Sequence, residues 1–299
     1  MQGSKEEFCV MYELLVIGGG PAGLSAAINA RRRDKRVLLL AKEAISSKLR
    51  PAGRIENYPG LPGVSGPELA ERFREHAAAA GAEIRQEEII SVQPGENGFF
   101  VIGKNEGYEA AAVILATGAP QKASLPGETR LAGRGVSYCA TCDGMFFRDK
   151  DVMVISQLPA GEEEAAFLAG ICRKVYYLPE YQGEYRLPSG VELVRGKALS
   201  LEGDAQLERV VTSEGEYRVA GVFLERAGLP PEQLCPGLAM ADGAIQVDRR
   251  MATNIPGLYA AGDCTGKPWQ IAKAVGEGQV AALSAVQYLA EREHMDKTG

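Results

Sequence analysis

Leu14-Leu15-Val16-Ile17-Gly18-Gly19-Gly20-Pro21-Ala22-Gly23 is an apolar run that passes without a break into a glycine turn. The four aliphatic residues, in a segment from Glu13 to Ile17, read as a short buried strand, and Leu24 to about Arg32 reads as the helix that follows. Strand, glycine turn and helix in this order form a dinucleotide site. Gly18, Gly20 and Gly23 allow a tight turn and close approach of a pyrophosphate to the backbone, and the helix N-terminus faces its negative charge. The turn alone would be weak evidence, but its flanking strand and helix make it specific. The expected fold class is α/β, with Gly18, Gly20, Pro21, Ala22 and Gly23 lining the site.

Working outward, a second strand, Arg36 to Leu40, ends where such a fold places an acid for a ribose hydroxyl. That position falls on Ala41, and Glu43 comes slightly late. The run Arg31-Arg32-Arg33-Asp34-Lys35-Arg36 closes the helix. It reads either as solvated cations at a helix C-terminus or as a docking patch for an acidic protein. Beyond it, Arg54-Ile55-Glu56-Asn57-Tyr58-Pro59-Gly60 precedes a helix expected from Gly66 to Ala80. Short strands and turns between Glu83 and Ala116 suggest a β-meander. They end in the apolar strand Ala112 to Leu115 and then Ala116-Thr117-Gly118, either a point of close backbone approach to a cofactor or an ordinary strand-end turn.

Mid-chain stands Cys139-Ala140-Thr141-Cys142-Asp143-Gly144. Two cysteines at this spacing can make and break a disulfide, and a thiol of lowered pKa reacts as thiolate at neutral pH. Asp143 is placed to move the proton that thiol exchange requires. Half of a zinc site is the alternative, but it needs a second ligand pair at matching spacing. Cys9, Cys172, Cys235 and Cys264 are scattered singly, and His76 and His294 stand apart, so no metal is expected. Near the C-terminus Ile255-Pro256-Gly257-Leu258-Tyr259-Ala260-Ala261-Gly262-Asp263 again runs from strand into glycine and carboxylate, ahead of a helix from Ile271 to about Ala290. Asp263 is placed for a sugar-like hydroxyl and Gln270 for a flavin ring, with Ile271 and Ala272 beside it.

The whole chain agrees with an enzyme of about two domains. Its 299 residues are 45% hydrophobic and 24% charged, ordinary for a soluble globular protein. A net charge of −6 argues against nucleic-acid binding. No apolar run reaches membrane-spanning length, and the N-terminus lacks a signal-peptide core, so a cytoplasmic location is expected. In that compartment a lone Cys-x-x-Cys is catalytic more often than structural.

Taken together and in order, the glycine turn, Glu56-Asn57-Tyr58-Pro59-Gly60, Ala116-Thr117-Gly118, Cys139-Ala140-Thr141-Cys142-Asp143 and Gly257 to Asp263 resemble the low-molecular-weight thioredoxin reductases over essentially the whole chain. The resemblance implies two Rossmann-like three-layer domains. An FAD domain would comprise residues 1–119 and 242–299, with a redox domain, residues 120–241, inserted between. FAD would be held by Gly18, Gly20, Pro21, Ala22, Gly23, Asn57, Ala116, Thr117, Gly118, Gly262, Asp263, Gln270, Ile271 and Ala272. By the same match Cys142 faces the flavin, Cys139 attacks the disulfide of thioredoxin, Asp143 is the acid/base, and the protein is a homodimer.

One part of the pattern fails. After the strand Asp151 to Ile155, the inserted domain of nucleotide-using members carries its own glycine fingerprint, where this chain has Ser156-Gln157-Leu158-Pro159-Ala160-Gly161. Leu158 replaces the glycine that admits the pyrophosphate, and Pro159 removes an N–H. The next strand, Lys174 to Leu178, runs into Pro179-Glu180-Tyr181 where the family's NADPH-binding cations belong, and Glu180 repels a 2′-phosphate. The chain therefore resembles the ferredoxin-dependent flavin thioredoxin reductases. Ser47-Lys48-Leu49 and Gly262-Asp263-Cys264-Thr265-Gly266 ahead of Gln270 are similar to that branch, with Trp269 either shielding the flavin, relaying the donor's electrons or packing. Reduced ferredoxin is the expected donor and thioredoxin the expected substrate. A pyridine nucleotide held in a rearranged site, a flavin dithiol oxidase and a redox sensor without turnover remain as other readings.

Overall fold

The computed structural model describes residues 12–43, 49–119, 125–226 and 229–298. Cys9, Ser47 and Lys48, named above, lie outside the described residues. The chain separates into two compact units, residues 1–120 with 230–299, and residues 121–229.

In the first unit β1 (Tyr12–Ile17), α1 (Pro21–Arg31) and β2 (Val37–Ala41) are followed by α2 (Gly66–Ala79), β3 (Glu83–Gln86), β4 (Ile89–Gly95), β5 (Gly98–Gly103) and β6 (Gly107–Leu115). The sheet runs β3-β2-β1-β6-β5-β4, and the late strand Leu258–Ala260 also pairs with β6. β1 is parallel to both neighbours, with Leu14 opposite Val37 and Ala112, and Ile17 opposite Leu40 and Leu115. Leu14, Leu15, Val16, Leu38, Leu39, Val113 and Ile114 are wholly buried. Continuous aliphatic runs of this kind belong to strands covered on both faces, each side chain contributing about 1.5–3 kcal/mol by burial.

The meander comprises β4, β5 and β6, which are antiparallel, whereas β3 pairs in parallel with β2, Leu38 lying opposite Glu83. The strand expected from Ile255 is confined to Leu258–Ala260, because the Leu258 N–H turns back to the Ile255 carbonyl at 3.0 Å across Gly257. α1 packs against the C-terminal helix Ile271–Thr298 through buried Ala22, Ala26, Ala27 and Ala30 on one side and Ala274, Ala281, Ala282 and Ala285 on the other. A Cβ at Gly278 would stand 2.1 Å from the Ala22 carbonyl oxygen, so the helices meet nearly backbone to backbone. The C-terminal helix continues past Ala290, where Gln287 Nε2 donates to Glu291 Oε1 at 2.8 Å along its surface.

Part of the basic run at the end of α1 is held by contacts within the unit. Arg31 Nη1 donates to the Lys35 carbonyl at 2.8 Å, Lys35 pairs with Glu13 and Glu293, and Arg36 lies over the Tyr12 ring. Arg32 and Arg33, between them, are exposed.

The second unit is a three-layer sandwich. Its parallel sheet has the order Val191–Leu193, Lys174–Pro179, Asp151–Ser156, Gly221–Glu225, Val136–Ser137. Val152, Val154 and Phe223 face the helix Gly161–Ala169 through Ala165 and Leu168. Met153, Ile155 and Val222 face the antiparallel strands Ala198–Glu202 and Arg209–Thr212 through Leu201 and Val210. The period-2 alternation along Asp151–Ser156 thus serves two cores. Fully buried Glu128 accepts from Arg226 Nη1 and Nη2, each at 3.0 Å, from the Leu125 N–H at 2.7 Å and from the Tyr138 hydroxyl at 3.0 Å. The chain rejoins the first unit at Pro230, ahead of the expected boundary at 242. The short helix Pro231–Leu234, with buried Pro231 and Leu234, packs against β4 there.

Candidate functional site

Each glycine of the first turn has its own reason to be glycine. Gly18 has φ +117°, and a Cβ on it would fall 2.1 Å from the Ala116 carbonyl oxygen. A Cβ on Gly23 would stand 1.9 Å from the Gly18 carbonyl oxygen, so α1 closes directly onto the turn. At Gly20 a Cβ would meet no protein atom within 4 Å. That is the position where bare backbone must face a ligand. Pro21 begins α1, and no side chain caps its N-terminus, which leaves that end of the helix dipole open to an anion.

Of the other expected residues of this unit, Ala116 and Gly262 lie against the same turn, while Asn57 and Gln270 are brought to each other. Ala116, whose N–H bonds the Ile17 carbonyl at 2.7 Å, ends β6 beside Gly18, and Gly118 (φ +84°) again has open space on its Cβ side. Gly262 (φ +89°) lies against Ala22, where a Cβ would come within 2.8 Å of the alanine methyl, and Asp263 opens the short turn Asp263–Thr265. Asn57 Nδ2 donates to Gln270 Oε1 at 2.8 Å, joining positions far apart in sequence, and Ile271 and Ala272 form the helix turn after Gln270. Glu43, the first carboxylate beyond β2, is paired with Arg50 at 2.7 Å. Bare backbone at Gly20 and Gly118, an uncapped helix N-terminus and the Asn57–Gln270 pair fit a flavin dinucleotide.

Sequence reasoning missed what holds the Gly262 loop. Lys273 Nζ donates to the carbonyls of Gly262 (2.9 Å) and Gly266 (2.8 Å) and pairs with Glu277 at 3.2 Å. Glu277 in turn accepts from the Gly262 N–H at 2.9 Å and the Thr265 hydroxyl at 2.8 Å. The i, i+4 spacing of Lys273 and Glu277 was visible, but their loop partners were not. Within the loop Cys264 is buried, its thiol donating to the carbonyls of Ala261 (3.3 Å) and Leu115 (3.4 Å), and desolvation pushes that thiol up to about 11.

In the second unit Cys139 and Cys142 form a disulfide with sulfurs 2.06 Å apart. Cys139 is 5% exposed and caps the turn Ala140–Asp143, its Sγ accepting the Cys142 N–H at 3.2 Å, while Cys142 is exposed. Asp143 Oδ2 accepts from the Ser137 hydroxyl at 2.7 Å. Among the described residues no group of three or more His, Cys, Asp or Glu is placed to hold a metal ion, and no helix is long and apolar enough to cross a membrane.

The degenerate loop folds on itself. Ser156 Oγ accepts the Leu158 N–H at 3.1 Å and donates to the Leu158 carbonyl at 2.6 Å, so an amide of the phosphate cradle is engaged internally. The helix after it carries Glu162, Glu163 and Glu164 in its first turn. Glu162 accepts from the Tyr181 hydroxyl at 2.5 Å and the Arg186 N–H at 2.9 Å, and Gln157 Nε2 donates to Glu180 at 3.1 Å. Burial, reinforced by Glu162, pushes the Tyr181 phenol well above its ordinary range. Carboxylates at this N-terminus complement the helix dipole and repel a pyrophosphate. The three consecutive glutamates follow Gly161 in the sequence, a signal that went unread there.

Two α/β units, one with a glycine-cradled dinucleotide turn and the other with a redox disulfide, define a flavin-linked disulfide oxidoreductase. The pyridine nucleotide-disulphide oxidoreductase family matches residues 12–278. A thioredoxin reductase of Bacillus subtilis (strain 168) is 33% identical over 313 aligned positions, covering 96% of this chain and 98% of that protein. Two crystal structures of ferredoxin-flavin thioredoxin reductases from Clostridium acetobutylicum are similar at 44% identity (94% of this chain, 99% of that one, TM-score 0.85) and 40% identity (95% and 99%, TM-score 0.87). The chain belongs to the pyridine nucleotide-disulphide oxidoreductases and, within them, to the thioredoxin reductase family. It is an oxidoreductase and a flavoprotein whose cofactor is FAD.

Proposed function

We propose that this protein reduces the disulfide of thioredoxin through Cys139 and Cys142, with electrons from reduced ferredoxin in place of NADPH. The observation that carries the choice of donor is the filled nucleotide loop. Leu158 is bonded to Ser156, and Glu162, Glu163 and Glu164 occupy the first turn of the helix whose N-terminus would have to face a pyrophosphate. The likeness to the two ferredoxin-flavin enzymes supports the same donor. The first unit serves as the FAD domain, with FAD held at Gly18, Gly20, Pro21, Ala22, Gly23, Asn57, Ala116, Thr117, Gly118, Gly262, Asp263, Gln270, Ile271 and Ala272. The second serves as the redox domain. The resemblance implies a homodimer in the cytoplasm.

FAD, when bound, supplies a carrier that takes electrons singly and gives them as a pair. Two electrons and two protons open the Cys139–Cys142 disulfide to the dithiol, with Cys142, the exposed residue of the pair, on the flavin side. Cys139, as thiolate, attacks one sulfur of the thioredoxin disulfide and releases the other as a thiolate, which takes up a proton. Cys142 then loses its proton and attacks Cys139 Sγ. This closes the enzyme disulfide and frees the second thioredoxin sulfur, which is protonated in turn. Asp143 carries these protons between attacking and leaving sulfurs.

The test is anaerobic absorbance of the purified flavoprotein mixed in turn with NADPH, NADH and photoreduced ferredoxin. The flavin band is expected to bleach with ferredoxin and to persist with both nucleotides. Bleaching by NADPH within seconds would show that Leu158 and the glutamates do not close the site.

A further inference from the structure

Ser137 is used neither by the core nor by any motif in the sequence, yet it is 4% exposed and its hydroxyl is fully engaged. It ends the strand Val136–Ser137, two positions before Cys139. Its Oγ accepts the Cys139 N–H at 3.1 Å and stands 2.7 Å from Asp143 Oδ2 and 3.3 Å from the Cys139 carbonyl. A hydroxyl has one hydrogen, and the shorter, charge-assisted bond to the carboxylate takes it. One buried atom therefore ties the backbone of the buried cysteine to the carboxylate that follows the exposed one. The Asp143 N–H bonds the Cys139 carbonyl at 3.1 Å, which closes the segment into a ring around the disulfide.

We infer that Ser137 is a positioning residue for Asp143. It fixes the carboxylate relative to the two sulfurs so that the proton leaving the attacking thiol is handed to the departing thiolate. The inference rests on the role proposed above for Asp143. It accounts for a buried hydroxyl on a strand where an alanine would pack as well. The bond is donated to a charged acceptor, so its loss is expected to slow proton transfer about ten-fold.

The experiment uses the FAD-loaded full-length protein, reduced with dithionite, freed of excess reductant and mixed with a small aliphatic disulfide, whose departing thiolate takes up a proton at neutral pH; the loss of enzyme dithiol is followed by alkylation of acid-quenched samples. Neither ferredoxin nor thioredoxin is needed, so failure of the proposed donor or substrate would leave this readout intact. Ser137→Ala is expected to slow dithiol reoxidation about ten-fold with KM for the small disulfide unchanged, and Ser137→Thr to restore most of the rate. In an Asp143→Asn background Ser137→Ala is expected to have no further effect, because the two act as one unit. A wild-type rate in Ser137→Ala, or the same ten-fold loss with and without Asp143, would overturn the assignment. If Ser137→Ala does not retain flavin and fold, Ser137→Cys, of similar volume but a weak donor, is judged by the same criteria.

Discussion

Gly20 and Leu158 stand at corresponding places in two loops, and their surroundings say why one loop is kept and the other is not. Gly20 has φ −82°, a conformation open to any residue, so nothing in the fold demands glycine there. Gly18, at φ +117° and hard against Ala116, is required by the fold itself. Replacing Gly20 with Val should therefore give a folded protein that purifies with little flavin, its far-ultraviolet circular dichroism unchanged and its flavin-to-protein absorbance ratio reduced at least several-fold. A yellow Gly20→Val protein would mean that the dinucleotide does not cross this backbone. At this scale the glycines of the first site were legible, because steric demands on backbone are written in single residues. Ser137 was not, because its role depends on a hydrogen bond that the tertiary turn creates.

At the scale of elements, the loop Gly262–Gly266 owes its shape to the first turns of the helix that follows it. Lys273 and Glu277 bind it through both carbonyls and an N–H. The sequence showed the strand, the glycine and the helix but not this lock, since a lysine and a glutamate four apart read as a solvated surface pair. Both side chains are 19% exposed. Lys273→Met keeps the stem but strands two carbonyls and leaves Glu277 without its cation. FAD is expected to dissociate about ten-fold more readily, followed as flavin fluorescence released on dilution, with a small change in Tm. Unchanged retention would separate the loop from cofactor binding. Element ends were the less legible part. Leu258 turning back to Ile255 shortened one strand, and β3 left the meander because its partner is β2, a parallel choice that local sequence does not encode.

Across the whole molecule a first unit drawn from both ends of the chain was expected from the resemblance to the thioredoxin reductases, and no local signal marked where it breaks off. The return point was not legible, because Pro231–Leu234 joins the first unit by packing on β4 and carries no motif. The pair Glu128–Arg226 sits just inside the two points where the chain passes between units. Replacing Arg226 with Met leaves a buried, uncompensated carboxylate and should destabilise the second unit by about 3–5 kcal/mol. A double substitution, Glu128→Leu with Arg226→Met, should recover much of that loss. Urea unfolding of the three proteins checks both statements, and an Arg226→Met midpoint equal to wild type would show the pair to be ornamental.

The same pair bears on chain connectivity. β6 and the strand Leu258–Ala260 are adjacent in the sheet, Val113 opposite Leu258, yet residues 121–229 intervene. Closing a flexible loop costs entropy that grows slowly with its length, about 0.6 kcal/mol per doubling. When Glu128 and Arg226 are bonded, the excursion enters and leaves through neighbouring points. To the first unit it then counts as a short connection instead of a long one. The ion pair works as a clasp that lets one folding unit carry another as if it were a turn.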